Sequence, residues 1–283
     1  MNIDFPNRPV NGNRREVLYW ELHFRFCLEL LKAGGGQLGW TKTSDFTSGF
    51  FHFFWEGHPV AIDYSDSPQL AIAPKEDLPV FKTHYHAERH DEVSGVYPFI
   101  PISFYDWSAY DQLAKKLQYQ AKGSLIVHRQ RPYGNAQDRR NTVRQMLQEH
   151  FGDRVGTQPL PQHAFWEEVT LCRTAVFVPG FSNHILDRGQ WQYMGLGACT
   201  ISPKLPEVLP GGKKLLPGFH YLACAADYSD LPALIKWCDA HADALPLIGQ
   251  NAQKLFRQVA LPDKVCAYMH QCLVYHYPTF PHS

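Results

Sequence analysis

The sequence predicts an α/β protein of two domains. The chain has 283 residues, more than one domain usually holds. From residue 124 to residue 239 strand-like and helical segments alternate, which is typical of a parallel sheet covered by helices on both faces. The apolar run of residues 175–178 ends in Pro179-Gly180 and leads into an apolar helix, the outline of a nucleotide-binding half-domain. We expect domains at residues 1–121 and 122–260, followed by a C-terminal helical segment at 261–283.

Composition excludes several classes of protein. Hydrophobic residues make up 45% of the chain and the formal net charge is zero, so nothing attracts the whole chain to nucleic acid or to anionic membranes. The apolar runs are far shorter than the ~20 residues of a membrane span, and no signal peptide is evident at the N-terminus. The seven cysteines are scattered and odd in number, as expected of reduced core thiols. These features predict a cytoplasmic protein.

The first domain is predicted to begin with a helix at residues 15–32, where apolar residues return every four positions. Aromatic residues alternate through residues 50–55, and a turn at Glu56-Gly57 leads into a second strand at 60–62, which indicates a β-hairpin. A short strand at 79–82 precedes a His-rich loop, and residues 108–120 have a helical pattern.

The second domain is predicted to begin after Lys122-Gly123 with a strand at 124–128 and a helix at 136–150. Further strands are expected at 198–202 and 220–224, and a helix begins at Asp230. Ligands of parallel sheets bind outside the carboxyl ends of the strands, so the loops after these strands are the first candidates for a site.

Short motifs along roughly two-thirds of the chain occur in a fixed order. Towards the C-terminus they are Leu216-Pro217-Gly218-Phe219-His220-Tyr221, Asp227-Tyr228-Ser229-Asp230-Leu231 and Ile248-Gly249-Gln250-Asn251. Upstream they are Ile62-Asp63-Tyr64-Ser65-Asp66-Ser67-Pro68-Gln69, Pro79-Val80-Phe81-Lys82 and the His90-Asp91 to Tyr97-Pro98 loop. In these motifs the chain resembles glycosyltransferase family ninety, the Rumi-type protein O-glucosyltransferases and fungal capsule xylosyltransferases.

The resemblance implies a GT-B fold, in which two Rossmann-like domains face a central cleft and the C-terminal helix packs back across the domain junction. It implies an inverting transferase that moves a hexose or pentose from a nucleoside-diphosphate sugar to a hydroxyl acceptor, without a required metal or other cofactor. We expect a UDP-linked donor, and a glycan of lipopolysaccharide or capsule, a lipid-linked glycan or another hydroxyl compound as the acceptor.

Arginines at loop-to-helix turns are the phosphate candidates. A guanidinium group stays charged and donates in a planar fork that suits a diphosphate. We expect Arg188 and one of Arg129 or Arg131 to bind phosphate, with Asn135, Arg139 and Ser182 as further donor contacts. The alternative is that these arginines form a solvated helix face.

A carboxylate must take the proton of the acceptor hydroxyl in an inverting transfer. Asp66 lies at the end of a strand and matches the Asp of the family's Asp-x-Pro-Gln motif, and Asp63 is the second candidate. The alternative is that both cap a turn together with Ser65 and Ser67.

Lys82 and His84 are predicted to contact the acceptor or the sugar, while His90 and Asp91 are expected to support their loop. His84 and His86 could chelate a metal, but the sequence offers no second cluster to complete such a site, so we predict no metal.

Two other functions remain open at this point. One is glycosylation of a modified DNA base, as some phages perform, although the neutral net charge speaks against nucleic acid as a partner. The other is a non-catalytic module that binds a nucleotide or a sugar.

Overall fold

A computed structural model describes residues 1–7, 14–41, 49–65, 67–75, 77–100, 112–113, 115, 123–180, 186–206 and 208–279. The chain forms two compact units. The first contains Met1–Tyr105, Val208–Lys214 and Gln258–Ser283, and the second contains Asp106–Glu207 and Leu215–Arg257. The helix expected at 108–120 falls mostly outside the described residues, and the cleft expected between two domains stays a prediction.

The described strands are β1 (Asn2–Pro6), β2 (Gln37–Thr41), β3 (Phe50–Trp55), β4 (His58–Asp63), β5 (Val80–Lys82), β6 (Val96–Pro98), β7 (Gly123–Val127), β8 (Val155–Gly156), β9 (Cys172–Val176), β10 (Cys199–Pro203) and β11 (Leu222–Cys224). The described helices are α1 (Arg14–Gly34), α2 (Ala87–His90), α3 (Gln137–Phe151), α4 (Gln162–Leu171), α5 (Arg188–Gly195), α6 (Leu231–Ala240), α7 (Leu245–Val259) and α8 (Pro262–His276).

The first unit contains a six-stranded mixed sheet of order β2-β1-β3-β4-β5-β6. Strands β3 and β4 are antiparallel, which confirms the predicted hairpin, and both turn residues, Glu56 and Gly57, have positive φ. Strands β4, β5 and β6 run parallel, so β4 and β5 bring their carboxyl ends to the same edge. Two buried rings of β3 face helices: the Phe51 ring lies 4.2 Å from the His23 ring of α1, and the Trp55 ring lies 6.4 Å from the His270 ring of α8. Helix α8 also belongs to this unit and packs against α1.

The second unit contains a five-stranded parallel sheet of order β11-β10-β9-β7-β8. Numbered along this unit, the order is 2-1-3-4-5, a doubly wound arrangement. Val143 and Leu147 of α3 and Ile235 of α6 pack on one face of the sheet. On the other face the ring of Tyr193 in α5 contacts Phe177. The α/β class predicted from the alternation of strands and helices is therefore confirmed.

The core contains all seven cysteines as buried free thiols. Burial raises the pKa of Cys224 and of Cys238 to about 12, so both stay protonated near neutral pH. Among the described helices, none has the length and apolar character needed to cross a bilayer.

Candidate functional site

The carboxyl ends of β7 and β9 flank the point where the strand order of the second unit reverses. The chain passes from β7 to β8 on one side and then returns to β9 on the other side of β7. In doubly wound sheets this crevice is where ligands bind. The loops that follow the two strands, residues 128–133 and 177–180, therefore form the candidate donor site.

Arginines of α3 bind the two loops through backbone carbonyls. Arg140 donates from Nε and Nη2 to the Val178 carbonyl at 3.3 and 3.1 Å, and from Nη1 to the Arg131 carbonyl at 2.8 Å. Arg139 donates to the Pro179 carbonyl at 3.1 Å, and Arg144 to the Gln130 carbonyl at 3.1 Å. The first turns of α3 thus hold both walls of the crevice.

Gln130 adds a direct link between the same loops. Its side-chain amide donates to the Val178 carbonyl at 2.9 Å, and its side-chain carbonyl accepts from the Val178 N–H at 2.6 Å. This pairing continues the sheet beyond its strands and fixes the separation of the two loops. The sequence prediction named neither Gln130 nor Arg140 as a site residue, although the i, i+4 spacing of Arg140 and Arg144 places both on one helix face.

Positive charge is concentrated at this crevice. Arg140 is buried, with 4% of its surface exposed, and among the described residues its guanidinium group donates to the carbonyls of Val178 and Arg131. In the described part of the chain neither Arg131, Arg140 nor Arg144 forms an ion pair with a carboxylate. Burial lowers the pKa of His128, at the end of β7, to about 4, and the charges of Arg144 and Arg140 act in the same direction.

Tyr133 is an exposed aromatic residue beside this cluster. Its side chain is 64% exposed, and the Arg140 guanidinium carbon lies 5.2 Å from its ring centroid. Such a cation–π contact holds the ring over the cationic group. The sequence prediction did not identify Tyr133.

The phosphate candidates have different positions. Arg131 and Asn135 are exposed in the segment between β7 and α3, and Arg139 is partly exposed in the first turn of α3. Arg131 lies in the 128–133 loop and Arg139 contacts the 177–180 loop, so both are at the crevice, while the phosphate contacts of all three candidates stay predictions. Ser182 and the side chain of Arg188 lie outside the described residues, although the backbone of Arg188 begins α5.

The contacts of Arg129 contradict the prediction that it binds phosphate. Its Nε and Nη2 atoms pair with the two carboxylate oxygens of Glu168, and Nη1 donates to the Gln158 carbonyl. Both partners of the ion pair are largely buried. Arg129 therefore uses within the protein the donors that the prediction assigned to phosphate.

The loop after β11 approaches the same strand ends. Tyr228 is buried and has a φ of 63°, which is rare for a bulky residue, and its hydroxyl donates to the Phe177 carbonyl at 3.3 Å. Asp227 accepts from the N–H and hydroxyl of Ser229, which stabilises the turn on the C-terminal side. The surrounding contacts thus maintain an unfavourable backbone conformation next to the candidate site.

In the first unit, Asp63 has a structural position. The side chain is fully buried, and its oxygens accept hydrogen bonds from Lys82, Ser65 and Ala71. A general base must reach the proton it removes. The second candidate for the base is therefore corrected to a structural residue, and Asp66 lies outside the described residues.

Lys82 also differs from the prediction made for it. Lys82 is fully buried, and Nζ donates to Asp63 and Ser65, so its ammonium group is not available to an acceptor or a sugar. His84 is buried, with 7% of its surface exposed. The contact assigned to Lys82 is corrected for this reason, and the contact assigned to His84 stays a prediction.

His90 supports the neighbouring loop, as the sequence suggested. Nδ1 lies 3.0 Å from the His86 N–H, and Nε2 lies 3.1 Å from the Pro68 carbonyl. This pair of contacts requires the neutral tautomer with its proton on Nε2. Burial lowers the pKa of His90, and the charge of Lys82 adds to this effect, so the neutral form is favoured. No group of three or more His, Cys, Asp or Glu side chains among the described residues is arranged to hold a metal ion.

No protein-family model and no curated protein matches the chain. Similar solved structures include HepE from Anabaena in complex with UDP, with a TM-score of 0.46 and 14% identity over 67% of this chain and 59% of that chain. HepE in complex with UDP-glucose has a TM-score of 0.42 and 13% identity, over 71% and 58% of the two chains. Sucrose-phosphate synthase from Thermosynechococcus elongatus has a TM-score of 0.41 and 15% identity, over 71% and 53%. The chain spans less than two thirds of the length of each of these structures.

Proposed function

We propose that this protein is an inverting GT-B glycosyltransferase that uses a nucleoside-diphosphate sugar, most simply a UDP-sugar. The observation that carries the proposal is the buried guanidinium of Arg140, which has no carboxylate partner among the described residues and lies at the switch point of a doubly wound sheet. Arg131 and Arg139 add positive charge at the same strand ends. The motifs that resemble glycosyltransferase family ninety support the same function.

A diphosphate suits this site on electrostatic grounds. A buried charge is costly unless it is paired, and carbonyl groups compensate only part of a guanidinium's charge. Of the five N–H groups of Arg140, three donate to the carbonyls of Val178 and Arg131, and two make no hydrogen bond to the described residues. An anion with several oxygen atoms would accept from these groups and from Arg131 and Arg139.

The proposed reaction is a direct displacement. The acceptor hydroxyl oxygen forms a bond to the anomeric carbon while the bond from that carbon to the diphosphate oxygen breaks, and the electron pair leaves with the diphosphate. The hydroxyl proton passes to Asp66, the base that the family resemblance assigns. The arginines stabilise the negative charge that develops on the leaving group.

The finer assignments are also proposals. We propose that transfer needs no metal, because arginine side chains supply the charge that would otherwise stabilise the leaving diphosphate. The transferred group is a hexose or a pentose, and the acceptor is a hydroxyl of a glycan of lipopolysaccharide or capsule, or of a lipid-linked glycan. A cytoplasmic location is the setting in which we expect a nucleotide-sugar donor.

Thermal-shift measurements with UDP-, GDP-, CMP- and TDP-sugars test the donor site. A ligand that binds the folded state raises the melting temperature, so we expect the UDP-sugars to give the largest rise. Arg131→Gln and Arg139→Gln should each reduce it. Arg154→Gln is the matched control. Arg154 follows the C-terminal end of the 15-residue helix α3, about 22 Å along the helix axis from the first turn, and it pairs with Asp239. Equal shifts in all these variants, or no shift with any nucleotide sugar, would contradict the proposal.

Slow hydrolysis of the donor tests the role of Asp66. We expect Asp66→Asn to abolish the hydrolysis and to leave nucleotide affinity unchanged, because only the proton acceptor is removed. Asp77→Asn changes an exposed carboxylate in the same unit and should leave hydrolysis unaffected. Undiminished hydrolysis in Asp66→Asn would assign the base to another residue.

A further inference from the structure

Asp63 and Lys82 form a fully buried ion pair at the carboxyl ends of the parallel strands β4 and β5, with 2.9 Å between Lys82 Nζ and Asp63 Oδ1. A buried ion pair is weak evidence of stabilisation, because desolvation offsets much of its attraction. Stability alone therefore does not explain why this ion pair lies at the strand ends.

Both charged groups are bonded to the segment that follows β4. Lys82 Nζ donates to the Ser65 carbonyl at 3.0 Å and to the Ser65 hydroxyl at 2.8 Å. Asp63 Oδ1 accepts from the N–H of Ser65 at 3.0 Å and from its hydroxyl at 2.7 Å. Ser65 thus contacts both ions through its backbone and its side chain.

The contacts continue on the other side of position 66. Asp63 Oδ2 accepts from the Ala71 N–H at 2.6 Å, which closes the segment of residues 64–71 into a loop on a single carboxylate. The Ser67 hydroxyl accepts from the Gln69 N–H at 3.1 Å, and the Pro68 carbonyl lies 3.1 Å from His90 Nε2. The backbone is therefore held both before and after the residue assigned as the base.

We propose that Asp63 and Lys82 are positioning residues that fix the 64–71 loop and, through it, the backbone on both sides of Asp66, an inference that rests on the proposed function. The ion pair supplies two charged groups, each of which makes several hydrogen bonds from one buried point. Bonds to charged groups are stronger and more directional than neutral ones, which suits a group that must hold a catalytic loop to within a fraction of an ångström.

The double variant Asp63→Asn/Lys82→Met tests this inference without leaving a buried charge unpaired. The Asn side chain cannot offer a second acceptor oxygen to the Ala71 N–H, and Met supplies no donor to Ser65. We expect hydrogen exchange of peptides covering residues 64–72 to become about tenfold faster. We also expect the kcat of UDP-glucose hydrolysis to fall about tenfold while the Kd of UDP stays within about twofold.

Glu29→Gln/Lys32→Met is the matched control. It removes an ion pair between the same kinds of groups in the same unit, but Lys32 is largely exposed, so exchange and turnover should not change. Ser65→Ala serves in case the double variant does not fold, because it removes a hydroxyl that both ions contact and leaves the charges paired. It should also accelerate exchange of the loop.

The possible outcomes distinguish the fixing of the loop from its effect on turnover and from the proposed function itself. Unchanged exchange in both variants would overturn the fixing of the loop. Faster exchange with unchanged kcat would overturn the positioning role, since the loop would then be loosened without consequence for turnover. Absence of both UDP binding and UDP-glucose hydrolysis in the unmodified protein would count against the proposed function and not against the hydrogen-bonded loop, which the exchange measurement tests separately.

Discussion

Two arginines of the second unit differ in what their guanidinium groups contact. Arg129 pairs with the carboxylate of Glu168, whereas the described hydrogen bonds of Arg140 run to the carbonyls of Val178 and Arg131. Arg129 is therefore already neutralised, whereas no carboxylate among the described residues lies at ion-pair distance from Arg140. The difference separates an arginine that supports the fold from one that is suited to bind an anion.

Arg129→Met should destabilise the protein without weakening nucleotide binding. Removal of one partner leaves the Glu168 carboxylate unpaired, and because the pair is slightly exposed we expect a loss of roughly 1–3 kcal/mol in the free energy of unfolding. Urea denaturation measures this loss, and Glu168→Gln should reproduce it. A variant of full stability whose Kd for UDP rises about tenfold would instead return Arg129 to the phosphate site.

The sequence predicted which chemical groups lie at the strand ends, but it did not predict whether those groups are exposed. Lys82 and Asp63 lie at strand ends, where polar residues often reach a ligand, but they are paired with each other inside the first unit. Their pairing depends on the parallel alignment of β4 and β5, in which Asp63 and Lys82 are register partners. Residues 19 positions apart give no local sign of such a contact.

Helix α7 packs on a turn of the second unit through a glycine. A Cβ atom at Gly249 would lie 2.1 Å from the Gly197 carbonyl oxygen, so the backbones approach too closely for any side chain. Gln253, on the same helix, donates to the Gly195 carbonyl at 3.1 Å. The motif that contains Gly249 thus has a packing role in addition to its resemblance to the family.

Gly249→Ala should cost about 2–3 kcal/mol or more of unfolding free energy, because the backbone atoms in contact cannot move aside as a flexible side chain could. Gln250→Ala, at an exposed position of the same helix, should stay within about 0.5 kcal/mol of the parent. Chemical denaturation of both variants measures the difference. Equal stability of the two would show that α7 can shift away from the turn.

Most elements with a clear sequence pattern were predicted correctly, including the short strands β5 and β11, whereas the helix α7 was not predicted. The period of four in α1 and the alternation in β3 are confirmed, as are α3 and α8. Strands β1 and β2 were missed because they pair with strands far along the chain, so no neighbouring segment of the sequence marks them. The two-residue strand β8 is too short to leave a pattern in the sequence, yet its position defines the switch point.

At the scale of the whole molecule, buried neutral histidines make stability depend on pH. Burial lowers the pKa of His23 to about 3 and that of His128 to about 4, and it also lowers the pKa of His90 and His220. Unfolded histidines titrate near pH ~6.5, so below that pH the unfolded state binds more protons than the folded state. The stabilisation is therefore complete above about pH 6.5 and is lost as the pH falls.

We expect the free energy of unfolding to fall by about 1.4 kcal/mol per pH unit for each of His23 and His128 between pH ~6 and pH ~4.5. Denaturant titrations across this range measure the slope. His128→Asn should reduce the slope by the contribution of one group, whereas His150→Asn, at an exposed site, serves as the control. A stability that does not change across this range would contradict the assignment of neutral, buried imidazoles.

The central claim is that the arginine cluster of the second unit binds a nucleoside diphosphate. Calorimetric titration of the full chain with UDP, UMP and uridine tests it most directly, because the three ligands share a base and differ in phosphate. We predict that each phosphate removed weakens binding about tenfold, and that affinity for UDP falls as salt is added. Uridine binding as tightly as UDP, or no binding of UDP at millimolar concentration, would contradict it.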